Sequence, residues 1–145
     1  MKEPALKMRN GIEEDRKALA ELLSANSMED KAFDPTEFLL AEKDGRLAGA
    51  ARLERLGQDV YLRPIVVASW EKGQGIGRAL VENLLNISPV IKAVARGEAV
   101  NFYRKLGFVS MDWNQVPETY QVECERCPDQ LACQPVSMVM DESQV

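Results

Sequence analysis

The feature that most constrains this chain is a junction. An apolar run, Val60 to Val67, leads through Lys72-Gly73-Gln74-Gly75-Ile76-Gly77 into an amphipathic stretch, Ile76 to Asn86. Ile76, Ala79, Leu80 and Leu84 recur at helical spacing, and the preceding run has the length and branching of a largely buried strand. A glycine-rich turn between two such elements aims its amide groups and the positive end of the helix in one direction, which makes an anion site. Glycine suits this turn because a Cβ would block the approach of a diphosphate to the backbone. Arg78 adds a positive charge nearby. Spacing excludes two loops. The phosphate loop G-x-x-x-x-G-K-S/T is absent, and G-x-G-x-x-G would need glycine at Arg78 or Leu80. On loop chemistry alone, a plain turn easing a strand into a helix remains the competing reading.

Around this junction the chain alternates short strands and helices. Leu6 and Met8 alternate with Lys7 and Arg9 as a first strand, and Asn10 is expected to cap a helix with Glu13, Glu14 and Asp15 in its first turn. Ile12, Leu19, Leu22 and Leu23 are expected on its buried face. Phe38 to Glu42 and Arg46 to Arg55 read as a hairpin about Asp44-Gly45, a pair that accepts the positive φ of a primed turn. A second turn at Gly57-Gln58-Asp59 delivers Val60 to Val67. Later come a strand at Val90 to Ala95, a helix from about Glu98 to Leu106 closed by Gly107, and an exit strand beginning Phe108-Val109. Tyr120 to Val122 and Val136 to Met140 read as paired strands in a cysteine-bearing C-terminal hairpin at about 117–141. The expected fold is α+β, an α/β/α sandwich with a mixed sheet flanked by helices, in a single domain over residues 1–145. That length supports one core without disulfide staples.

Composition narrows the function. With 18 basic and 23 acidic side chains the net charge is -5, so neither nucleic acid nor a membrane surface is an expected partner. No apolar run approaches the roughly 18 residues of a membrane span, and the polar start is unlike a secretory signal, so the cytoplasm is the expected compartment. The chain contains no histidine. That removes Ser-His and Cys-His nucleophile pairs and any histidine-ligated zinc.

Two runs carry a family resemblance. Val67-Ala68-Ser69-Trp70-Glu71-Lys72-Gly73-Gln74-Gly75-Ile76-Gly77-Arg78-Ala79-Leu80 resembles the acetyl-coenzyme A motif of the GNAT N-acetyltransferase superfamily, R/Q-x-x-G-x-G/A after a strand ending in valine, with Lys72 at the Arg/Gln position. Ala99, Phe102, Tyr103, Lys105, Leu106, Gly107 and Phe108 resemble the family's A-x-x-F-Y-x-K-L-G-F helix. The resemblance spans roughly residues 5 to 123 and implies a sheet splayed centrally, between its fourth and fifth strands, with the coenzyme in the gap. It also implies that the backbone of Ile65 and Val67 pairs with the pantetheine arm. Lys72, Gly73, Gln74, Gly75, Ile76, Gly77 and Arg78 would hold the pyrophosphate, and Tyr103 would be the general acid for the departing thiolate. A phenol of ordinary pKa, ~10, keeps its proton at neutral pH. A core tyrosine beside Phe102 and Leu106 is the competing reading.

Acetyl transfer to an amine also needs a base. Val60 to Val67 holds no acidic residue where many family members keep a glutamate, so Glu54 on the preceding strand is the candidate, set against its reading as a surface carboxylate. Arg96 stands where the family often has asparagine. Arg52, Arg55 and Arg63 favour an acidic acceptor if they face it, and are otherwise solvent-facing charges. Cys124, Cys127 and Cys133 combine a C-x-x-C pair with a third thiol, an incomplete tetrahedral set, and no metal site is assigned. Packing thiols, capture of a thiophilic ion and a redox pair stay open for them. The expected function is direct, acetyl-CoA-dependent N-acetyl transfer, with acetyl-CoA as cosubstrate, to a small-molecule amine such as an amino acid or other acidic amine. The alternative is a noncatalytic acyl-CoA-binding or metal- or redox-sensing module. Pairing into a homodimer stays open.

Overall fold

Strand-length apolar runs separated by turn residues, and two longer amphipathic stretches, set the element order. The computed structural model describes residues 6–26, 33–69, 75–95, 97, 99–113, 116 and 135–141. Its elements run β1 (Leu6–Asn10), α1 (Arg16–Ala25), β2 (Phe38–Lys43), β3 (Arg46–Leu56), β4 (Asp59–Val67), α2 (Ile76–Ile87), β5 (Val90–Ala95), α3 (Ala99–Leu106), β6 (Val109–Ser110) and β7 (Val136–Asp141). The strands form a mixed sheet in the order β1-β2-β3-β4-β5-β7-β6. β1 with β2, β2 with β3, β5 with β7 and β6 with β7 are antiparallel. β4 with β5 is parallel, with Tyr61↔Lys92 in register. The β2–β3 turn has Asp44 at φ 53 and Gly45 at φ 77, the positive pair a primed turn requires. Two compact units divide the chain: Met1–Leu53 with Leu62–Ile87, and Glu54–Tyr61 with Ser88–Val145.

In the first unit α1 buries Leu19, Leu22 and Leu23 among Phe33, Phe38, Leu40, Ala50, Val66 and Ala68. Each leucine removed from water contributes about 2 kcal/mol. Strand alternation places Ala50 on that face and Gly49 on the other, where α2 lies. A Cβ on Gly49 would stand 2.8 Å from Ile76 Cγ2, 3.1 Å from the Val66 carbonyl oxygen and 3.2 Å from Leu80 Cδ1. Glycine there lets the first two turns of α2 rest on the backbone of β3.

Three expectations are corrected in this unit. Asn10 does not cap the helix; it ends β1, and a 3-10 turn at Glu13–Asp15 precedes α1. That turn is closed by Asp15, whose carboxylate accepts the Ile12 N–H at 2.8 Å, while α1 itself starts without a side-chain cap bond. Ile12 is 52% exposed, because it lies before the helix in extended conformation and never joins the helical face. Ala79 is half-buried; the inward face of α2 is Ile76, Leu80, Val81, Leu84 and Leu85. Asp15 and Glu42 share the Arg9 guanidinium at 2.6 to 2.7 Å, which ties β1, the 3-10 turn and β2 together. Arg9's hydrogen bonds hold the Asp15 carboxyl below its ordinary pKa, against the opposing effect of burial.

In the second unit β5 pairs along its whole length with β7, from Val90↔Asp141 to Ala95↔Val136. β6 pairs on the other side of β7 at Val109↔Val139 and Ser110↔Met138. Met111 extends that edge: its N–H donates to the Ser137 carbonyl at 2.9 Å and its carbonyl accepts the Ser137 hydroxyl at 2.8 Å. Val136 to Met140 is therefore a strand as expected, with β5 and β6 as its neighbours. Its expected partner, Tyr120 to Val122, lies outside the described residues. Among the described residues no helix is long and apolar enough to cross a membrane.

Candidate active site

Two stretches of the first unit lie where a strand and a helix present backbone groups at an element's edge or end. The first is the start of α2. The Ala79 N–H donates to the Gly75 carbonyl at 3.0 Å, so the helical ladder begins there. The N–H groups of Ile76, Gly77 and Arg78 lie in the turn ahead of that bond, where the positive end of the helix dipole falls. Gly75, at φ 81, takes a left-handed conformation open to any neighbour, since a Cβ there would meet nothing within 4 Å. Arg78 is exposed, with Glu82 3.9 Å from its guanidinium one turn along the helix. Lys72, Gly73 and Gln74, the rest of the expected anion loop, lie outside the described residues.

The second is the end of β4. The Ala68 N–H donates to the Ala48 carbonyl at 2.8 Å, which fixes the direction in which this part of the strand faces β3. Backbone groups alternate along a strand, so Ile65 and Val67 present theirs on the edge away from β3. Both side chains are half-buried, and Val66 between them is buried. The Val67 carbonyl accepts from the side chain of Asn26, the residue that ends α1, at 3.4 Å. Gly49 brings the two stretches together, because the Val66 carbonyl and Ile76 both close on the same point above it.

Tyr103 and Glu54 belong to the second unit. Tyr103 is buried on α3, with Phe102 5.2 Å and Phe108 4.9 Å away between ring centroids. The end of α3 explains why it is so firmly placed. The Gly107 N–H bonds the Arg104 carbonyl at 3.0 Å and the Phe108 N–H bonds the Tyr103 carbonyl at 3.0 Å, with Gly107 at φ 109. These are the two bonds of a Schellman cap, and the Tyr103–Phe108 ring contact is its hydrophobic staple. The run Tyr103 to Phe108 is thus a helix stop that locks the tyrosine ring. Glu54 is half-buried on β3.

Of the three arginines expected near the acceptor, Arg52 has contacts that fix its guanidinium. Its Nε donates to the Arg63 carbonyl at 2.9 Å, and its guanidinium lies 5.5 Å over the Phe38 ring, its register partner on β2. Arg63 is half-buried and Arg55 exposed. Arg96 and the cysteines Cys124, Cys127 and Cys133 lie outside the described residues. The sequence reading passed over Asn26 and Gly49. For Gly49 a signal existed, a glycine inside the small-residue run Ala48-Gly49-Ala50-Ala51, which marks close approach to a strand. For Asn26 it amounted to a polar residue at a helix end.

The family model described as an acetyltransferase (GNAT) domain matches residues 34–110. An uncharacterized N-acetyltransferase of Chlorobaculum tepidum is 25% identical in an alignment covering 71% of this chain and 69% of that protein. Among solved structures, N-acetylglutamate synthase from Neisseria gonorrhoeae, complexed with coenzyme A and N-acetyl-glutamate, superposes with a TM-score of 0.77 at 17% identity, over 97% of this chain. The chain spans 36% of the length of that synthase. Diaminobutyrate acetyltransferase EctA from Paenibacillus lautus, in complex with its substrate L-2,4-diaminobutyric acid and coenzyme A, gives a TM-score of 0.65 at 17% identity, over 97% of this chain and 96% of EctA.

Proposed function

This chain belongs to the GNAT acetyltransferase family, and on that premise we propose that it transfers the acetyl group of acetyl-CoA directly to the primary amine of a small, carboxylate-bearing molecule. The observation that carries this reading is that the end of β4 and the start of α2 come together over Gly49, where a Cβ would stand 3.1 Å from the Val66 carbonyl oxygen and 2.8 Å from Ile76 Cγ2. An extended amide-bearing arm ending in a diphosphate needs a strand edge and an anion-binding helix start side by side. Acetyl-CoA is such a molecule, and it supplies an acetyl group activated as a thioester.

The chain's own groups divide the remaining work. The N–H groups of Ile76, Gly77 and Arg78, with Lys72, Gly73, Gln74 and Gly75 before them, hold the diphosphate. Ile65 and Val67 align the arm as an added strand, and an amide of that edge polarises the acetyl carbonyl as negative charge develops on its oxygen. The acceptor's neutral amine forms the new C–N bond as the C–S bond breaks. Tyr103 gives its phenolic proton to the departing sulfur, and the amine's surplus proton passes to Glu54 or to water. Arg52, pre-oriented by Phe38 and the Arg63 carbonyl, pairs with the acceptor's carboxylate. The amino acids named in the synthase and EctA complexes support an acceptor of this class.

The test joins calorimetry with acetyl-CoA to a thiol-release screen of amino acids, diamines and polyamines, repeated on Tyr103→Phe. The reading expects acetyl-CoA binding, turnover with carboxylate-bearing amines, and a loss of about 10²-fold or more in kcat for Tyr103→Phe with coenzyme binding unchanged. Binding without turnover on any amine would instead establish a noncatalytic acyl-CoA module. Absence of binding refutes the whole reading.

A further inference from the structure

We infer that Asn26 is a positioning residue for the coenzyme: its side-chain amide clamps the Val67 carbonyl of β4 to the end of α1 and so sets the strand edge on which the pantetheine arm is held. The inference rests on the coenzyme reading of β4 given above.

The last turn of α1 leaves carbonyls without helical partners. The Asn26 backbone N–H returns to Leu23 at 3.1 Å, and its side-chain Nδ2 donates to the Leu22 carbonyl at 2.9 Å and to the Val67 carbonyl at 3.4 Å. A carboxamide nitrogen carries two hydrogens, and here each faces a carbonyl oxygen. Chemistry therefore dictates that nitrogen, not oxygen, points at this pair. The Leu22 bond closes the helix. The Val67 bond reaches 41 residues along the chain to the strand. At 3.4 Å it is the longer and weaker of the two, so Val67 keeps its second lone pair for a pantetheine N–H. The clamp holds the carbonyl in place without occupying it fully.

Asn83 supplies an internal control. Its Nδ2 makes the same backward bond, to the Ala79 carbonyl at 2.8 Å, within α2. Asn26 differs from it in the contact with a strand.

The experiment measures acetyl-CoA dissociation, steady-state KM and kcat, and thermal stability for Asn26→Ser, Asn26→Ala and Asn83→Ala. Serine in a helix bonds back to the carbonyl four residues earlier, so Asn26→Ser keeps the Leu22 bond and loses the Val67 bond. We expect both Asn26 variants to raise the Kd and KM for acetyl-CoA about three- to tenfold, the worth of one net hydrogen bond, with kcat within about twofold of wild type. Asn83→Ala should leave Kd and KM unchanged. Wild-type affinity in both Asn26 variants, whatever their stability, overturns the inference and leaves Asn26 as a helix end. If the wild-type protein itself binds no acetyl-CoA, the coenzyme reading of β4 has failed, an outcome distinct from the first.

Discussion

Replacing Gly49 by alanine puts a methyl group where three heavy atoms already stand at 2.8, 3.1 and 3.2 Å. Optimal carbon–carbon separation is about 3.5 to 4.0 Å, so the contact with Ile76 Cγ2 is short by roughly 1 Å. One of the three atoms, the Val66 carbonyl oxygen, belongs to the backbone of an interior strand and cannot yield. The other two belong to Ile76 and Leu80, which are 3% and 0% exposed and packed in the core. The helix must rise instead. Overpacking of this kind costs about 1 to 3 kcal/mol, and the lower backbone entropy of unfolded alanine returns up to about 1 kcal/mol. The net loss is about 1 to 2 kcal/mol, read as a fall in Tm of roughly 2 to 8 °C for a chain of this size. Thermal denaturation checks the stability, and acetyl-CoA titration of the folded variant checks the site, since a raised α2 carries its first amides away from β4. The partner variant Ile76→Ala removes Cγ2, so Gly49→Ala with Ile76→Ala should destabilise by less than the sum of the two single changes, with a coupling of about 1 kcal/mol. A Gly49→Ala protein as stable as wild type, or strict additivity in the double variant, would refute the reasoning that glycine at this position seats α2.

Further outcomes follow from the surroundings. The Asp15 carboxyl, held below its ordinary pKa first by Arg9's hydrogen bonds, stabilises the fold above the unfolded carboxyl's pKa of about 4 and loses that contribution as pH falls through the lower folded value. Asp15→Asn should therefore cost about 1 to 2 kcal/mol at pH 7 in urea denaturation and flatten the decline of stability toward acid; an unchanged acid limb would count against the Arg9 pairing. Gly107→Ala forces a side chain into φ 109 at the cap of α3 and should cost about 1 to 2 kcal/mol. Because the steric neighbour at 2.7 Å is the flexible end of Met140, adding Met140→Ala should not restore stability, and full recovery would show that contact rather than backbone conformation decides the site.

Local chemistry made much of this molecule legible. Asp44-Gly45 set a primed turn and hence the first β2–β3 pairs, Lys43↔Arg46 and Glu42↔Leu47, because few dipeptides accept two positive φ values; beyond them a bulge shifts the register. Tyr103 to Phe108 announced a helix, its glycine stop and a ring packed on it, all within six consecutive positions. A 3-10 turn delays the helix past Asn10 and Ile12, and the bond from Arg9 to Glu42, 33 residues away on β2, which fixes the guanidinium that also holds Asp15, lies beyond any local window.

The sequence by itself determined the order of elements, the family's two motifs and the residue types able to handle a proton, since each depends on neighbours within one or two turns of chain. Only the tertiary structure decided that Gly49 seats α2 against β4, that Arg52 is held by Phe38 and the Arg63 carbonyl, and that Asn26 touches Val67. Those are contacts between strands and helices far apart in sequence. They depend on which sheet face and which strand edge each group occupies, and a linear pattern does not encode that choice until the chain has closed on itself.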